Sequence, residues 1–153
     1  MQIKRITISD YHLVIPLFNS YRVFYKQPSD LDLAGHFIKS RLQNNESVIF
    51  AALTNDNGEQ TPAGFTQLYP LLSSVKATRN WLLNDLFVDA AFRKQGIGEA
   101  LIKMAMEFAG NNGATYLKLE TAADNYTAQS LYEAIGFVKK QAAGSFLVYQ
   151  IQL

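Results

Sequence analysis

Phe92-Arg93-Lys94-Gln95-Gly96-Ile97-Gly98-Glu99-Ala100-Leu101 joins a run fit for a buried strand to a run with helical periodicity through two closely spaced glycines. Before it, Trp81-Leu82-Leu83-Asn84-Asp85-Leu86-Phe87-Val88 is apolar and aromatic; after it, Ala100, Leu101, Met104, Ala105 and Phe108 recur at helical spacing. A helix is therefore predicted to start near Gly96. The first backbone N–H groups of a helix have no partner inside it and sit at the positive end of its dipole, and residues without a Cβ let a ligand approach them closely. The stretch reads as an anion cradle suited to a diphosphate.

Spacing separates three kinds of phosphate loop. The GxxxxGK[ST] pattern of a P-loop is absent, and a dinucleotide fingerprint of the GxGxxG or GxGxxA type would need a small residue where Leu101 stands. Arg93-x-x-Gly96-x-Gly98 resembles the [RQ]xxGx[GA] coenzyme A diphosphate loop of the GNAT superfamily of N-acetyltransferases. Taken alone, the loop also has the plain reading of a glycine-containing turn. The resemblance implies that Arg93, Lys94, Gln95, Gly96, Ile97, Gly98 and Glu99 hold the acyl donor, acetyl-CoA, which is a cosubstrate.

With 153 residues, 48% of them hydrophobic and 12% aromatic, the chain has the size and core material of one domain spanning 1–153. Its 14 basic and 13 acidic residues give a net charge of +1, so nothing in the charge balance points to nucleic acid or an anionic membrane surface. The expected partner is a small molecule. The absence of Cys excludes disulfides, thiolate metal sites and cysteine nucleophiles, and His12 and His36 stand alone, so no metal is expected. Met1-Gln2-Ile3-Lys4-Arg5 lacks the apolar segment of a signal peptide and no apolar run approaches spanning length, so the expectation is a soluble, cytoplasmic protein.

Ile3, Ile6 and Ile8 suggest a first strand ended by Ser9-Asp10. A helix is predicted over Tyr11–Tyr25 with Pro16 in its first turn or at a kink, and a second from Leu31 to Leu42, capped at Ser29-Asp30 and closed by Asn44-Asn45. Residues 47–53 and 63–69 flank the turn-rich 54–59 and predict a hairpin, with Pro70 ending the pairing and 73–80 forming a loop before the strand at Trp81. Thr115–Thr121 alternates as a strand, Asp124-Asn125 opens a helix stopped by Gly136, and Phe146–Ile151 is a final strand. This order is that of an α+β domain. It is similar to the GNAT fold, which implies a mixed, mostly antiparallel central sheet of six or seven strands flanked by about four helices.

A second constellation carries the same resemblance. Asn125 and Tyr132 are seven residues apart, so one helix face can hold an amide and a phenol. The stretch Asn125 to Phe137 resembles the N-x6-Y-x4-GF signature of the family, in which the Asn contacts the pantetheine arm and the Tyr lies beside the thioester sulfur. The plainer reading makes Asn125 an N-cap and Tyr132 a packed core residue.

The chemistry follows from what forming an amide requires. A primary alkylamine has a pKa near 10, so only about one molecule in a thousand carries a free lone pair at pH 7, and a proton acceptor is needed. Attack on the thioester builds an oxyanion, which a backbone N–H can stabilise where it is not committed to sheet pairing, and Leu86-Phe87-Val88 is the matching place. The departing thiolate benefits from a donor; Tyr132 is the candidate general acid.

Leu83-Asn84-Asp85-Leu86-Phe87-Val88 is similar to the L-E-D-[LF]-[FY]-V strand of diamine and polyamine acetyltransferases, except that Asn84 stands where that family has its basic Glu. Asp85 is then the candidate base, with Glu120 on the neighbouring strand as a second carboxylate and water as a possible relay; the plainer role for Asp85 is a hydrogen bond within the sheet. The side chains of Glu46, Glu99 and Glu133 read as solvated charges. Tyr21, Tyr25, Asp30, Asp32 and Tyr69 are candidates for a slot that takes a cationic acceptor, a small-molecule amine or a protein lysine. The expected function is transfer of acetyl from acetyl-CoA to a primary amine, the alternative being a CoA-binding module without turnover. The apolar Phe146–Leu153 run, as an exposed sheet edge, leads to the expectation of a homodimer.

Overall fold

The computed structural model describes residues 1–140. The predicted strand at 146–151, and with it the apolar edge behind the homodimer expectation, lies outside the described residues. Among the described residues, 1–120 belong to one compact unit and 121–140 to a second.

In the first unit, β1 (Gln2–Ile6) is followed by a 3-10 turn at Tyr11–Val14 and α1 (Ile15–Phe24). The single helix predicted over Tyr11–Tyr25 is thus split, because Pro16 is tolerated only in a first turn, and that is where it sits in α1. Helix α2 (Leu31–Gln43) is capped by Asp30, whose carboxylate accepts the Leu33 N–H at 3.0 Å.

Strands β2 (Val48–Asp56) and β3 (Glu59–Ser73) form the predicted hairpin, but the turn tightens to Asn57-Gly58, both with positive φ. Pro70 does not end the pairing: β3 continues to Ser73 opposite β4 (Thr78–Val88), so the loop expected at 73–80 shrinks to a short turn. The β2 ladder along the other side of β3 stops at Leu68. Beyond it β3 is an edge strand, where a missing N–H costs least. Pro62 similarly lies at a register shift, between Ala52 and Leu53.

Past β4 and a 3-10 turn at Ala90–Phe92 come α3 (Ile97–Asn111) and β5 (Leu117–Leu119). Strand β5 is shorter than the predicted Thr115–Thr121 because the Asn80 side-chain carbonyl accepts the Thr115 and Tyr116 N–H groups, at 2.7 and 3.1 Å, and so replaces ladder partners. Five described strands thus stand against the six or seven expected. They lie in chain order, antiparallel except for the parallel β4–β5 pair, in a mixed α+β fold with four described α-helices.

Alternation along β3 and β4 assigns the two faces. Phe65 joins Phe18, Leu17, Ala34 and Ile38 in the core beneath α1 and α2, while Ile97, Leu101, Ile102, Ala105 and Ala109 bury the other helix, α3. In the second unit, α4 (Tyr126–Ile135) starts at the predicted cap and ends at Gly136, with φ +118°. No helix among the described residues is long and apolar enough to cross a membrane.

Candidate active site

Asp85 owes its position to an irregularity in β4. Gln67 pairs with Asp85 and Leu68 with Leu83, so Asn84 is an extra residue, a bulge that resets the side-chain alternation. Asp85 is thereby turned to the α1 and α2 face and is 3% exposed. Its Oδ2 accepts a short hydrogen bond from Gln67 Nε2, its Oδ1 accepts from Asn84 Nδ2 at 2.8 Å, and the Tyr21 hydroxyl adds a further donor. Thr66 Oγ1 donates to the Asp85 backbone carbonyl at 2.8 Å. Burial pushes the carboxyl above the ordinary aspartate range, and the three donors offset only part of that shift.

Two phenols feel this carboxylate. Tyr21 is raised by burial and by the Asp85 charge, and Tyr69 is pushed up to about 12 by the same causes, with Arg41 opposing. Both keep their protons at neutral pH and act as donors. Each is half-buried. The Tyr21 ring belongs to an aromatic set, 5.0 Å from Tyr25 and 6.3 Å from Phe87, while Phe24 lies 5.2 Å from Tyr25 and 6.4 Å from Phe87. Of the five residues predicted to line an acceptor slot, Tyr21 and Tyr69 lie near Asp85, while Tyr25 is exposed and packs against Tyr21 and Phe24. Asp30 is committed to capping α2, and Asp32 lies exposed in the first turn of that helix.

The β5 ladder stops at Leu83, so over Leu86–Val88 strand β4 pairs only with β3 among the described residues. Alternate backbone groups there are turned to an unpaired side, the condition for stabilising an oxyanion. At the end of this segment, the Arg93 Nε donates to the Val88 carbonyl at 3.1 Å and the guanidinium lies 5.9 Å from the Phe87 ring. Arg93 therefore ties the loop to the strand. Lys94 and Gln95 are exposed, and Lys94 has φ +61°.

Gly96 is the N-cap of α3 at φ +79°, and a Cβ there would meet nothing within 4 Å. No side chain among the described residues caps the helix, so the N–H groups of Ile97, Gly98 and Glu99 face the open side of the turn. A CoA diphosphate fits this arrangement, because the donors are uncommitted and the approach is unobstructed. The Glu99 carboxylate pairs with Lys103 at 2.7 Å, leaving its backbone as the part that can serve a ligand.

Within 1–120 the structure thus sets Asp85, Leu86–Val88 and Arg93–Glu99 on one continuous strand, loop and helix. Glu120 is not gathered there: its exposed carboxylate pairs with Lys118 at 3.4 Å. In the second unit, Asn125 caps α4 by accepting the Ala128 N–H at 3.2 Å, and Tyr132, half-buried on the same helix, has its ring 6.0 Å from that of Phe137. Among the described residues no cluster of His, Cys, Asp or Glu could hold a metal ion.

Two contributors escape sequence reasoning. Gln67, fully buried, is the main donor to Asp85; its only signal in the sequence is a polar pair, Thr66-Gln67, between the apolar Phe65 and Leu68 of a strand. Gly64 lies opposite Val88, where a Cβ would come within 2.8 Å of the Phe87 carbonyl and 3.3 Å of Ile97. It lets β3, the end of β4 and the start of α3 close on one another.

The chain is similar to known acetyltransferases in sequence and in fold. A family model described as the acetyltransferase (GNAT) family matches residues 12–137. The chain is 49% identical to the N-acetyltransferase YhfO of Bacillus subtilis (strain 168), described as uncharacterized, over 90% of this chain and 89% of that one. It is 38% identical to a Bos taurus thialysine N-epsilon-acetyltransferase over 45% of this chain and 41% of the relative. A crystal structure of a probable acetyltransferase superposes with a TM-score of 0.86 at 35% identity, covering 100% of this chain and 98% of the other. With the family model crossing most of its length and a similar relative along nine-tenths of it, the chain belongs to the GNAT acetyltransferase family and is an acyltransferase enzyme.

Proposed function

We propose that this enzyme transfers the acetyl group of acetyl-CoA to a primary amine by direct attack in a ternary complex. The observation that carries the reading is the uncapped N-terminus of α3 behind Gly96, at the end of the strand that buries Asp85. The backbone of Arg93–Glu99 holds the diphosphate, with the side chain of Arg93 fixing the loop to Val88. The thioester supplies an activated acyl group. Unpaired backbone N–H groups in Leu86–Val88 accept the charge that develops on its carbonyl oxygen.

Asp85 receives the proton released as the amine nitrogen bonds to the acyl carbon. Its burial argues for transfer through water past Tyr21 and Tyr69 rather than by contact. A carboxyl raised above the ordinary aspartate range is a better acceptor than a solvated one. By the N-x6-Y-x4-GF pattern, Asn125 is assigned to the pantetheine arm and Tyr132 to protonation of the departing thiolate.

The acceptor is a cationic amine with an apolar substituent. Tyr21, Phe24, Tyr25 and Phe87 offer ring faces that attract a cation and cover alkyl or aryl carbon. Asn84 stands where the strand of diamine and polyamine acetyltransferases has its basic Glu, which argues against a polyamine. An amine on an alkyl chain also accords with the thialysine relative. The test is thiol release from acetyl-CoA with a panel of arylalkyl monoamines, lysine, spermidine, aminoglycosides and a lysine-rich peptide. Monoamines are expected to react fastest; release with none of them, in the presence of measured acetyl-CoA binding, would overturn the acceptor assignment.

A further inference from the structure

On the α3 face of the sheet, away from Asp85, a cavity of about 170 Å³ is lined by Arg5, Asn45, Ser47, Arg79, Trp81 and Asn112, with the Phe108 ring in its wall. No acidic side chain lines it. Two residues of its lining, Ser47 and Trp81, are 8% and 5% exposed and carry polar atoms, the Ser47 Oγ and the Trp81 Nε1–H, that are closed to solvent and have no hydrogen-bond partner among the described residues. A buried donor without an acceptor is costly, and native proteins rarely leave one so. Here two residues that carry such groups belong to the lining of one space. The arginines are also set in place. The Arg5 guanidinium stacks 5.1 Å from the centroid of Phe108 and that of Arg79 5.3 Å from the centroid of Trp81, while Trp81 and Phe108 pack edge to face at 5.1 Å. Neither arginine enters an ion pair among the described residues.

We infer that this cavity is a second binding site, for a small oxyanion bearing carboxylate or phosphate groups. Stacked guanidiniums keep their in-plane N–H donors available, and two of them supply the charge and the forked geometry that oxyanions favour. The indole N–H is a donor only and the Ser47 hydroxyl can donate, so a small shift that opens them to the cavity pairs both with an acceptor; the Asn45 and Asn112 amides add donors at the exposed rim, one Asn112 hydrogen being given to the Phe108 carbonyl. The volume holds roughly five or six waters' worth of matter, at about 30 Å³ each, which suits a small di- or triacid or a phosphate. The site is separate from the donor loop: Trp81 is four residues before Asp85 on β4 and faces α3.

Trp81 is the sole tryptophan, so one indole N–H resonance and one emission band report on this cavity directly. The full chain, labelled with nitrogen-15, is titrated with inorganic phosphate and with malonate at constant ionic strength, against chloride as control. The expected result is a saturable shift of the indole resonance with phosphate or malonate, weakened roughly tenfold in Arg79→Gln and in Arg5→Gln. The tighter of the two anions identifies the source chemistry. A linear drift matching chloride would mean that only water fills the cavity, and would overturn the proposal. So would a saturable shift that both arginine variants retain. Should either arginine variant lose its circular dichroism, Ser47→Ala supplies the comparison, with weaker binding expected and unchanged binding counting against the site.

Discussion

Ionising the Asp85 carboxyl costs more in the folded protein than in the unfolded chain, because burial outweighs the donors from Gln67, Asn84 and Tyr21. Between the ordinary aspartate value near 3.8 and the higher folded value, the folded state keeps a proton that the unfolded state has released. Stability contributed by this group is therefore present at low pH and lost as pH rises through the window. Asp85→Asn removes the titration. Its melting temperature is expected to gain on the wild type as pH rises from 4 to 7, while thiol release falls by about 10² to 10³ through loss of the base. A stability difference independent of pH, by calorimetry, would assign Asp85 an ordinary pKa. Tyr132→Phe keeps the ring beside Phe137 and removes only the hydroxyl. Acetyl-CoA affinity should change little and kcat should fall by about 10² to 10³, less for a donor whose thiol leaves more easily. A wild-type rate with every reactive amine would return Tyr132 to a packing role.

At the scale of elements, the segment from β4 through the loop to α3 was legible because its signals are local: an apolar run, two glycines, then a 3.6-residue period. What was not legible depended on partners distant in sequence. Pro70 reads locally as a strand end, yet β3 runs on because only one neighbour remains there. The bulge at Asn84 follows from register against β3, and Gln67 gains meaning only once it faces Asp85. Gly64 is the same kind of residue, and Gly64→Ala should cost about 1–3 kcal/mol, since the added methyl meets a backbone carbonyl that cannot rotate away. A drop of several degrees in melting temperature is the expected readout; an unchanged one would mean that β4 shifts freely. Gly96→Asp tests the loop instead. A carboxylate at the N-terminus of α3 repels a diphosphate, and a side chain at φ +79° is strained, so acetyl-CoA binding in calorimetry should be lost while the far-ultraviolet dichroism is kept. Unchanged affinity would take the loop out of the donor site.

For the whole molecule, the reading of 1–153 as one domain meets a division into two compact units at residue 120, while the family model runs across that division from 12 to 137. A sequence pattern inherited across a boundary argues for joint folding, and we propose that the two units unfold as one. Under the proposed function Arg93–Glu99, in the first unit, and Asn125 and Tyr132, in the second, all serve the same ligand. A ligand that binds only the native state stabilises whatever folds with its site, by about 2.7 kcal/mol at a hundredfold excess over Kd. Trp81 emission reports on the first unit alone, since it is the sole tryptophan, whereas far-ultraviolet dichroism also registers α4. The two probes are expected to give coincident melting curves that acetyl-CoA moves upward together. Separate midpoints, with only the emission curve responding to acetyl-CoA, would make residues 121–153 an independently melting unit and would remove Asn125 and Tyr132 from the donor site.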